Sequence, residues 1–224
     1  MKLHSEMFGM CGWGGELKKL AIDIFVISFG LIVSSFGTAL FYAASLGSSP
    51  MATFSDGLHN ILNISYGSAN TLANAVLLIS LLFIKRKYIN VGTILCVFTI
   101  GPFVNIFGNM LENLSIYEGA FLLRIICVLA GTIMMGLGIG LYVAVERGYG
   151  PLEALVKLLC QSKGLSYTKA KMIQDAILVV CGILLKAKWG VGTLIAVFLT
   201  GPILQWSIKF FTSKLNNYRQ IKEI

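Results

Sequence analysis

Four polar side chains lie inside long apolar stretches of the sequence, and they are the residues best placed to carry chemistry. Asn105 and Gln205 each follow a Gly-Pro pair by three residues, and Asn74 and Asp175 each follow the tyrosine of a Ser-Tyr pair by eight. Polar groups are costly inside a membrane, and those that occur there commonly mark a substrate or ion pathway. We therefore predict that these four residues line one central, water-accessible site.

Each of these positions also has a purely structural explanation. Asn105 and Gln205 could form hydrogen bonds between helices, which stabilise membrane proteins by about 0.6 kcal/mol on average. Asp175 could bind a proton or a coupling ion, or it could pair with Lys171, which lies one helical turn before it. The sequence alone leaves these alternatives open.

A second candidate site lies at the starts of two short helices. A serine or glycine followed by proline is typical of a helix start, because proline fits the first helical position. The free N–H groups and the positive end of the helix dipole could hold an anionic group there, although the turn geometry alone also explains these residues. The positions are Ser48, Ser49 and Pro50 in one copy and Gly150, Pro151 and Glu153 in the other.

No pattern typical of an enzyme or a metal centre is found. The five cysteines form no C-x-x-C pair, and the two histidines, His4 and His59, are far apart. The glycines of residues 136–140 lie within an apolar run and predict close helix packing, not a dinucleotide loop. Since no nucleophile has a base within reach, we expect no enzymatic activity, no metal and no cofactor.

The composition is that of a membrane protein. Hydrophobic residues make up 56% of the 224 residues and charged residues only 12%, against about 25% charged in soluble domains. The net charge of +8 does not indicate nucleic-acid binding, because the basic residues lie between apolar runs and are not interleaved with aromatics. The lipid bilayer is therefore the expected partner, and nucleic acid is not.

An internal duplication organises the chain. Residues 37–50 match residues 138–151 at an offset of 101, and residues 91–93 match 191–193 at an offset of 100. The match is carried by glycines and prolines, such as Gly47 with Gly148 and Pro50 with Pro151. Asp56 and Lys157 occupy equivalent positions with opposite charge.

Each copy predicts three spans and one short helix. A helix needs about 20 apolar residues to cross a bilayer, and the short helices, about 20 Å long, cannot cross unaided. They are expected to be amphipathic or re-entrant. The predicted first repeat is 18–112 with spans at about 18–44, 67–84 and 88–111 and a short helix at 50–63; the second is 119–211 with spans at 119–145, 167–185 and 189–211 and a short helix at 151–163; residues 1–17 and 212–224 are cytoplasmic tails.

The basic residues in the short connections predict the orientation. With the N-terminus inside, only Lys186 and Lys188 face outward, and every other basic connection is cytoplasmic, as positively charged loops usually are. If the short helices crossed, residues 85–87 would face outward, so six spans are favoured over eight. Three spans per copy force the copies to face opposite ways, which predicts an inverted repeat with both termini in the cytoplasm.

These motifs resemble the YczE/YyaS/YitT family of bacterial integral membrane proteins. The resemblance extends from about Phe29 to Phe211 and is carried by residues 43–50, residues 148–153 and the two Val-Gly-Thr segments. Members of that family usually have an acidic residue two positions after the proline; Glu153 fits this pattern and Ala52 departs from it. The resemblance implies a multipass protein of the bacterial inner membrane and does not identify a substrate.

The sequence thus predicts an all-α membrane protein with six transmembrane helices in two inverted three-helix repeats. We expect a secondary transporter or permease of a small solute, in which one repeat rocks against the other around a central polar site. The alternative is a non-transporting membrane protein that binds or stabilises a partner, including a substrate-capturing subunit of a larger importer. The solute, the coupling ion and the choice between a monomer and a homodimer stay open.

Overall fold

The computed structural model describes residues 3–64, 66–84 and 88–221. This part of the chain is all-helical, and no strand occurs in it. A short 3-10 helix, Ile116–Glu118, connects the two halves. The α-helices are α1 (Leu3–Ala43), α2 (Pro50–Leu62), α3 (Tyr66–Ile84), α4 (Val91–Glu112), α5 (Phe121–Ala144), α6 (Pro151–Lys163), α7 (Tyr167–Leu184) and α8 (Val191–Ile221).

The two ends of the helical chain differ from the expectation. We predicted tails over residues 1–17 and 212–224, but α1 already begins at Leu3 and α8 continues to Ile221. Neither segment contains a proline that would end a helix. Extending an existing helix costs little once the first turn has formed, so both apolar helices continue into the polar segments.

Within the part of the chain that the structure describes, four stretches of helix are long and apolar enough to cross a membrane: Leu17–Ala43, Val91–Glu112, Phe121–Ala144 and Val191–Asn217. The other two predicted spans are less apolar or shorter. Helix α7 carries Lys169, Lys171 and Asp175, and the apolar stretch described in α3 is Ser68–Phe83. Length and composition thus identify four candidate spans.

Large apolar side chains cover much of the outer surface of these helices. Phe25 and Phe98 are each 72% exposed, and Leu122 is 69% exposed. A soluble protein rarely exposes apolar patches of this extent. Such a surface is what contact with lipid tails requires.

Helices α1 and α5 pack against each other in opposite directions through glycines. A Cβ atom at Gly37 would lie 2.6 Å from the carbonyl oxygen of Gly131, and one at Gly30 would lie 2.7 Å from that of Gly138. The residue numbers rise in one helix as they fall in the other, so the two axes are antiparallel. Close packing through the glycines of residues 136–140 is therefore confirmed, since Gly138 is the middle one.

Helices α5 and α8 run in the same direction. A Cβ at Gly136 would meet the side chain of Ile203, and one at Gly140 would meet Ser207. The residue numbers rise together along the two helices, so this pair is parallel.

Helices α1 and α4 are also parallel. The Ser35 hydroxyl lies 3.5 Å from the carbonyl oxygen of Ile100. Roughly two helical turns further along each helix, Tyr42 and Asn109 line the same pocket. Helix α1 therefore contacts α5 on one side and α4 on another, and α5 in turn contacts α8.

Both short helices begin at a proline. Helix α2 starts at Pro50, after Ser49, and α6 starts at Pro151, after Gly150. Neither preceding residue makes a capping hydrogen bond through a side chain. The backbone angle preset by the proline ring therefore accounts for both starts.

Helix α2 buries its small and polar face in the protein. Ala52, Ser55 and Gly57 are buried, and a Cβ at Gly57 would lie 2.9 Å from the carbonyl oxygen of Gly182 in α7. The apolar side chain of Ile61 is instead 49% exposed. This orientation suits a helix with protein on its polar face and lipid on its apolar face.

Equivalent hydrogen bonds hold the loops that precede the two short helices. The Gly92 N–H donates to the Arg147 carbonyl oxygen, and the Gly192 N–H donates to that of Leu46, both at 2.8 Å. Gly92 corresponds to Gly192 and Leu46 to Arg147 at the offsets of the duplication. The start of α4 is thus tied to the loop of the second copy, and the start of α8 to the loop of the first.

A threonine supports each of these loops. The Thr93 hydroxyl donates to the Tyr149 carbonyl oxygen at 2.7 Å, and the Thr193 hydroxyl accepts the Ser48 N–H at 3.1 Å. Gly47 next to this bond has a φ of 126°, a conformation that side chains rarely adopt. The Val-Gly-Thr segments therefore serve to seat the turns.

Candidate functional site

A buried ion pair lies in the middle of α7. The Lys171 ammonium donates to Oδ1 of Asp175 at 2.6 Å, and the two side chains are only 8% and 1% exposed. The residues are four apart on one helix, which places them on the same face. Of the two roles that the sequence left open for Asp175, pairing with Lys171 is therefore present in the structure.

A second carboxyl, that of Glu153, joins this pair from α6. Pro151 starts that helix, so Glu153 falls in its first turn, where the helix dipole favours negative charge. Its side chain is 7% exposed and interacts electrostatically with Lys171 and Asp175. Burial raises the pKa of the Glu153 carboxyl above its usual range, and the neighbouring Lys171 partly opposes this rise.

Gln174 connects the ion pair to the start of α6. Its amide nitrogen donates to the Leu152 carbonyl oxygen at 3.0 Å, which also fixes the orientation of the amide. Its oxygen Oε1 is buried without a hydrogen-bond partner, and so is Oδ2 of Asp175. The hydroxyls of Tyr142 and Tyr167 are also buried without a hydrogen-bond partner among the described residues.

We call Glu153, Lys171, Gln174 and Asp175 the buried polar cluster. With both carboxyls ionised and the lysine protonated, its two carboxylates outweigh its single ammonium group, and the cluster is negative. The unpartnered oxygens of Gln174 and Asp175 can only accept hydrogen bonds. The cluster therefore lacks positive charge and hydrogen-bond donors, which a proton or a cation would supply.

Lys157, one turn after Glu153 on the same short helix, lies against two tyrosine rings from outside that helix. The Lys157 ammonium contacts the Tyr149 hydroxyl and lies 4.0 Å from the centroid of the Tyr149 ring. The Tyr88 ring packs edge-on against that of Tyr149 at 5.7 Å, and its hydroxyl donates to Gln161 at 2.6 Å. The space in front of α6 is thus filled by two rings and an ammonium group.

The corresponding space in front of α2 is a pocket of about 550 Å³. Tyr42 and Trp189 supply aromatic surface, Asp56 and Lys188 supply charge, and Ala52 lies among the lining residues. The Asp56 carboxylate accepts the backbone N–H of Lys188 at 3.1 Å. The volume of this pocket is in the range of small-molecule binding sites.

The four residues of the predicted central site have different neighbours. Asn105 lines a pocket of about 240 Å³ between α1 and α4. Gln205 accepts hydrogen bonds from the N–H and the hydroxyl of Thr168, both at 2.8 Å. Asn74 donates to Asn70 one turn earlier, and Asp175 belongs to the buried polar cluster.

Apart from the Ser48–Thr193 hydrogen bond and the interactions of Glu153 with α7, the helix-start residues contact their own loop and short helix. The Ser48 hydroxyl lies 3.0 Å from that of Thr53, and the Ser49 carbonyl oxygen accepts from the Thr53 N–H at 2.8 Å. On the other side, the carboxylate of Glu153 lies against Gly150. Of these predicted residues, Glu153 is the one in a charged, buried environment.

Two arginines hold the halves together, and the sequence patterns did not identify this role. Arg124 donates to the carbonyl oxygens of Ala44 and Ser45 at 2.8 and 2.7 Å. Arg147 forms an ion pair with Asp23 at 2.8 Å. Asp23 and Arg124 are equivalent at the offset of 101, so a signal was available in the duplication itself.

The sequence analysis noted that Lys157 stands where the first copy has Asp56, but it missed the contact of Lys157 with Tyr88 and Tyr149. Their signal would have been their exchange across the duplication: Tyr149 stands where the first copy has Ser48, and Lys157 where it has Asp56. Asp56 and Lys157 have separate partners in the structure, Lys188 and Tyr149.

A family model described as "Family of unknown function (DUF6198)" matches residues 21–209. The chain is 27% identical to the uncharacterized membrane protein YczE of Bacillus subtilis (strain 168) over 188 residues, which cover 84% of this chain and 86% of YczE. It is 26% identical to the uncharacterized protein YyaS of the same organism over 78% of this chain and 87% of YyaS.

A third relative is an uncharacterized protein of Haemophilus influenzae, 25% identical over 87% of this chain and 85% of that protein. No solved structure matches the chain with significance. The resemblance inferred from the glycine-proline motifs is thus confirmed for the relatives YczE and YyaS.

Proposed function

The chain belongs to the DUF6198 family, whose function is unknown, and on the geometry of its own residues we propose that it is a bacterial inner-membrane carrier of a small solute. The observation that carries this proposal is the buried polar cluster, in which a half-satisfied carboxylate lies among helices with lipid-facing apolar surfaces. Ionisable groups in such surroundings are costly and are retained mainly at transport pathways.

We infer that six helices cross the membrane. Helices α1 and α4 are parallel, so the chain must cross the membrane an odd number of times between the end of α1 and the start of α4. Helix α3 provides one such crossing, and the number stays odd if α2 does not cross. The parallel pair α5 and α8 has the same requirement, and α7 meets it if α6 does not cross. Six crossings place both termini on the same side of the membrane, and the distribution of basic residues makes the cytoplasm the expected side.

We further propose that the two halves form an inverted repeat. The contact of Gly30 with Gly138 becomes the contact of Gly131 with Gly37 when each residue is replaced by its equivalent. In the same manner, the hydrogen bond from Gly92 to Arg147 becomes the one from Gly192 to Leu46. An approximate two-fold axis in the membrane plane generates such pairs, and this plan is common in secondary transporters.

In this proposal the short helices and their loops surround the transport pathway. The Gly-Pro and Ser-Pro turns place backbone and polar side chains at depths where a continuous helix would present only apolar ones. Such interruptions are tolerated where they line a cavity or are covered by protein. The buried polar cluster lies at one of them, and a proton or cation there would couple to solute movement.

A transport assay on the full chain in proteoliposomes tests the carrier proposal. Solid-supported-membrane recordings would measure charge movement after jumps in solute concentration across amino acids, sugars, organic acids and amines, with and without a pH gradient. We expect at least one class to give currents that empty liposomes lack. Absence of currents and of radiolabel uptake across the panel would overturn the proposal and favour the partner-binding alternative.

The proposed topology predicts which positions react from the cell exterior. In a cysteine-free background, we expect a membrane-impermeant maleimide to label Asn60→Cys in intact cells, because Asn60 is exposed and follows the outward end of α1. Lys163→Cys, exposed at the end of the other short helix, should react only after the cells are opened. Labelling of Lys163→Cys but not Asn60→Cys in intact cells would contradict the orientation.

A further inference from the structure

The pocket in front of α2 and the filled space in front of α6 occupy equivalent positions of the duplication. Ala52, Ser48 and Asp56 of the pocket side correspond to Glu153, Tyr149 and Lys157 of the filled side. One end of the molecule thus has a pocket of about 550 Å³ where the other end has its own side chains. The side chains that fill the space in front of α6 therefore indicate which chemical groups the pocket in front of α2 accepts.

The filled end contains three chemical groups. Tyr149 supplies an aromatic ring, Lys157 supplies an ammonium group 4.0 Å from the centroid of that ring, and Glu153 supplies a buried carboxylate four residues away on the same helix face. At the three equivalent positions the pocket end has other groups: a hydroxyl in place of the ring, a carboxylate in place of the ammonium group and a methyl group in place of the carboxylate.

We propose that the pocket in front of α2 binds a small zwitterion with an ammonium group, a carboxylate and an apolar flat side group, as an aromatic amino acid has. The inference rests on the carrier proposal in naming its class of solute. The solute would supply from outside the three groups that the chain itself supplies at the other end.

The pocket lining fits each part of such a solute. Asp56 is half-buried and offers a carboxylate for the ammonium group, while Lys188 is exposed and lines the same pocket as a partner for the solute carboxylate. These two charges cancel, which favours a neutral zwitterion over a singly charged ion. Tyr42 and Trp189 offer aromatic surface, on which a flat group and a cation both pack well.

Binding of tritiated phenylalanine to the purified full chain in nanodiscs tests this proposal. Phenethylamine lacks the carboxylate, 3-phenylpropanoate lacks the ammonium group and alanine lacks the ring, so each is used as a competitor. We expect phenylalanine to bind and each competitor to be weaker by roughly tenfold or more, the effect of losing one partially buried charge pair or ring contact. Equal competition by phenethylamine and phenylalanine, or no phenylalanine binding at millimolar concentration, would overturn the proposal.

A substitution of the pocket carboxylate tests its role in ligand binding without disturbing the local fold. Asp56→Asn keeps an oxygen that can accept the Lys188 N–H, so the local fold is preserved, but it removes the charge. We expect phenylalanine affinity to fall roughly tenfold, whereas Glu118→Gln, which removes an exposed carboxylate elsewhere, leaves it unchanged. Equal affinities of the two variants would contradict the role of Asp56.

Equilibrium binding also distinguishes this inference from the carrier proposal. If phenylalanine binds in the expected order but no solute crosses the membrane, the carrier proposal is wrong and the ligand class holds. If other solutes are transported and phenylalanine does not bind, the ligand class is wrong and the carrier proposal holds.

Discussion

Replacing Asp175 by asparagine is expected to abolish coupled solute movement in proteoliposomes. The substitution removes the carboxylate whose Oδ2 lacks a partner and whose Oδ1 holds Lys171 at 2.6 Å. An amide can neither take up a proton at accessible pH nor balance a bound cation, so the cluster loses the partly unpartnered carboxylate and keeps only that of Glu153, which Lys171 then neutralises. Uptake should fall to the level of empty liposomes, while Glu118→Gln, an exposed position, transports normally.

The same variant is expected to lose stability, and this effect must be separated from the transport defect. Removing one partner of a buried ion pair typically costs about 3–5 kcal/mol, because the other charge is left without compensation. Glu153 interacts with Lys171 as well, so the cost should lie at the lower end. Thermal unfolding of the detergent-solubilised protein measures it.

A double variant, Lys171→Met with Asp175→Leu, distinguishes a coupling role from a structural one. Replacing both charges by apolar groups of similar volume is commonly neutral or stabilising, so thermal stability should recover. Transport should not recover, because the carboxylate of Asp175 is still missing. A double variant that regains both stability and coupled uptake would show that the ion pair only supports the fold.

The local features of this structure could be predicted from the sequence because local rules determine them. Pro50 and Pro151 mark the two helix starts because the proline ring presets the backbone for the first turn. Lys171 and Asp175 share a helix face because they are four residues apart. Gly138 permits close packing because it has no side chain, and this holds whichever helix it meets.

The partners brought together by the tertiary fold could not be predicted in this way. Glu153 reaches Lys171 from a different helix, and Tyr88 packs on Tyr149 from a loop 61 residues earlier in the sequence. No periodic pattern connects such residues. Only the duplication offered a long-range signal. It identifies residues in equivalent positions of the two copies, and equivalent residues need not contact each other.

The expectation for Asn105 and Gln205 illustrates that difference. In an inverted repeat, equivalent residues meet only where the two-fold axis crosses the structure. Gly37 contacts Gly131 and not its own equivalent Gly138, so the proposed axis passes between these contacts. Asn105 and Gln205 lie on the outer helices α4 and α8, which pack on α1 and α5, and each has its own neighbours.

Gly37→Ala is expected to destabilise the protein by disrupting the packing of α1 against α5. The added Cβ would lie 2.6 Å from the Gly131 carbonyl oxygen and 2.7 Å from the Met135 backbone nitrogen. Both are backbone atoms of a packed helix, so neither can move without separating α1 from α5. Overpacking typically costs 1–3 kcal/mol and more where backbone must shift, so we expect a loss of at least about 3 kcal/mol.

At about 2–4 °C per kcal/mol for a chain of this size, the midpoint of thermal unfolding should fall by roughly 10 °C or the protein should fail to accumulate. Gly108→Ala is the matched control, because a Cβ there meets no atom within 4 Å. Alanine has the higher helix propensity by about 1 kcal/mol, so Gly108→Ala should be neutral or stabilising. Equal midpoints for the two variants would contradict the close α1–α5 contact on which the inverted repeat depends.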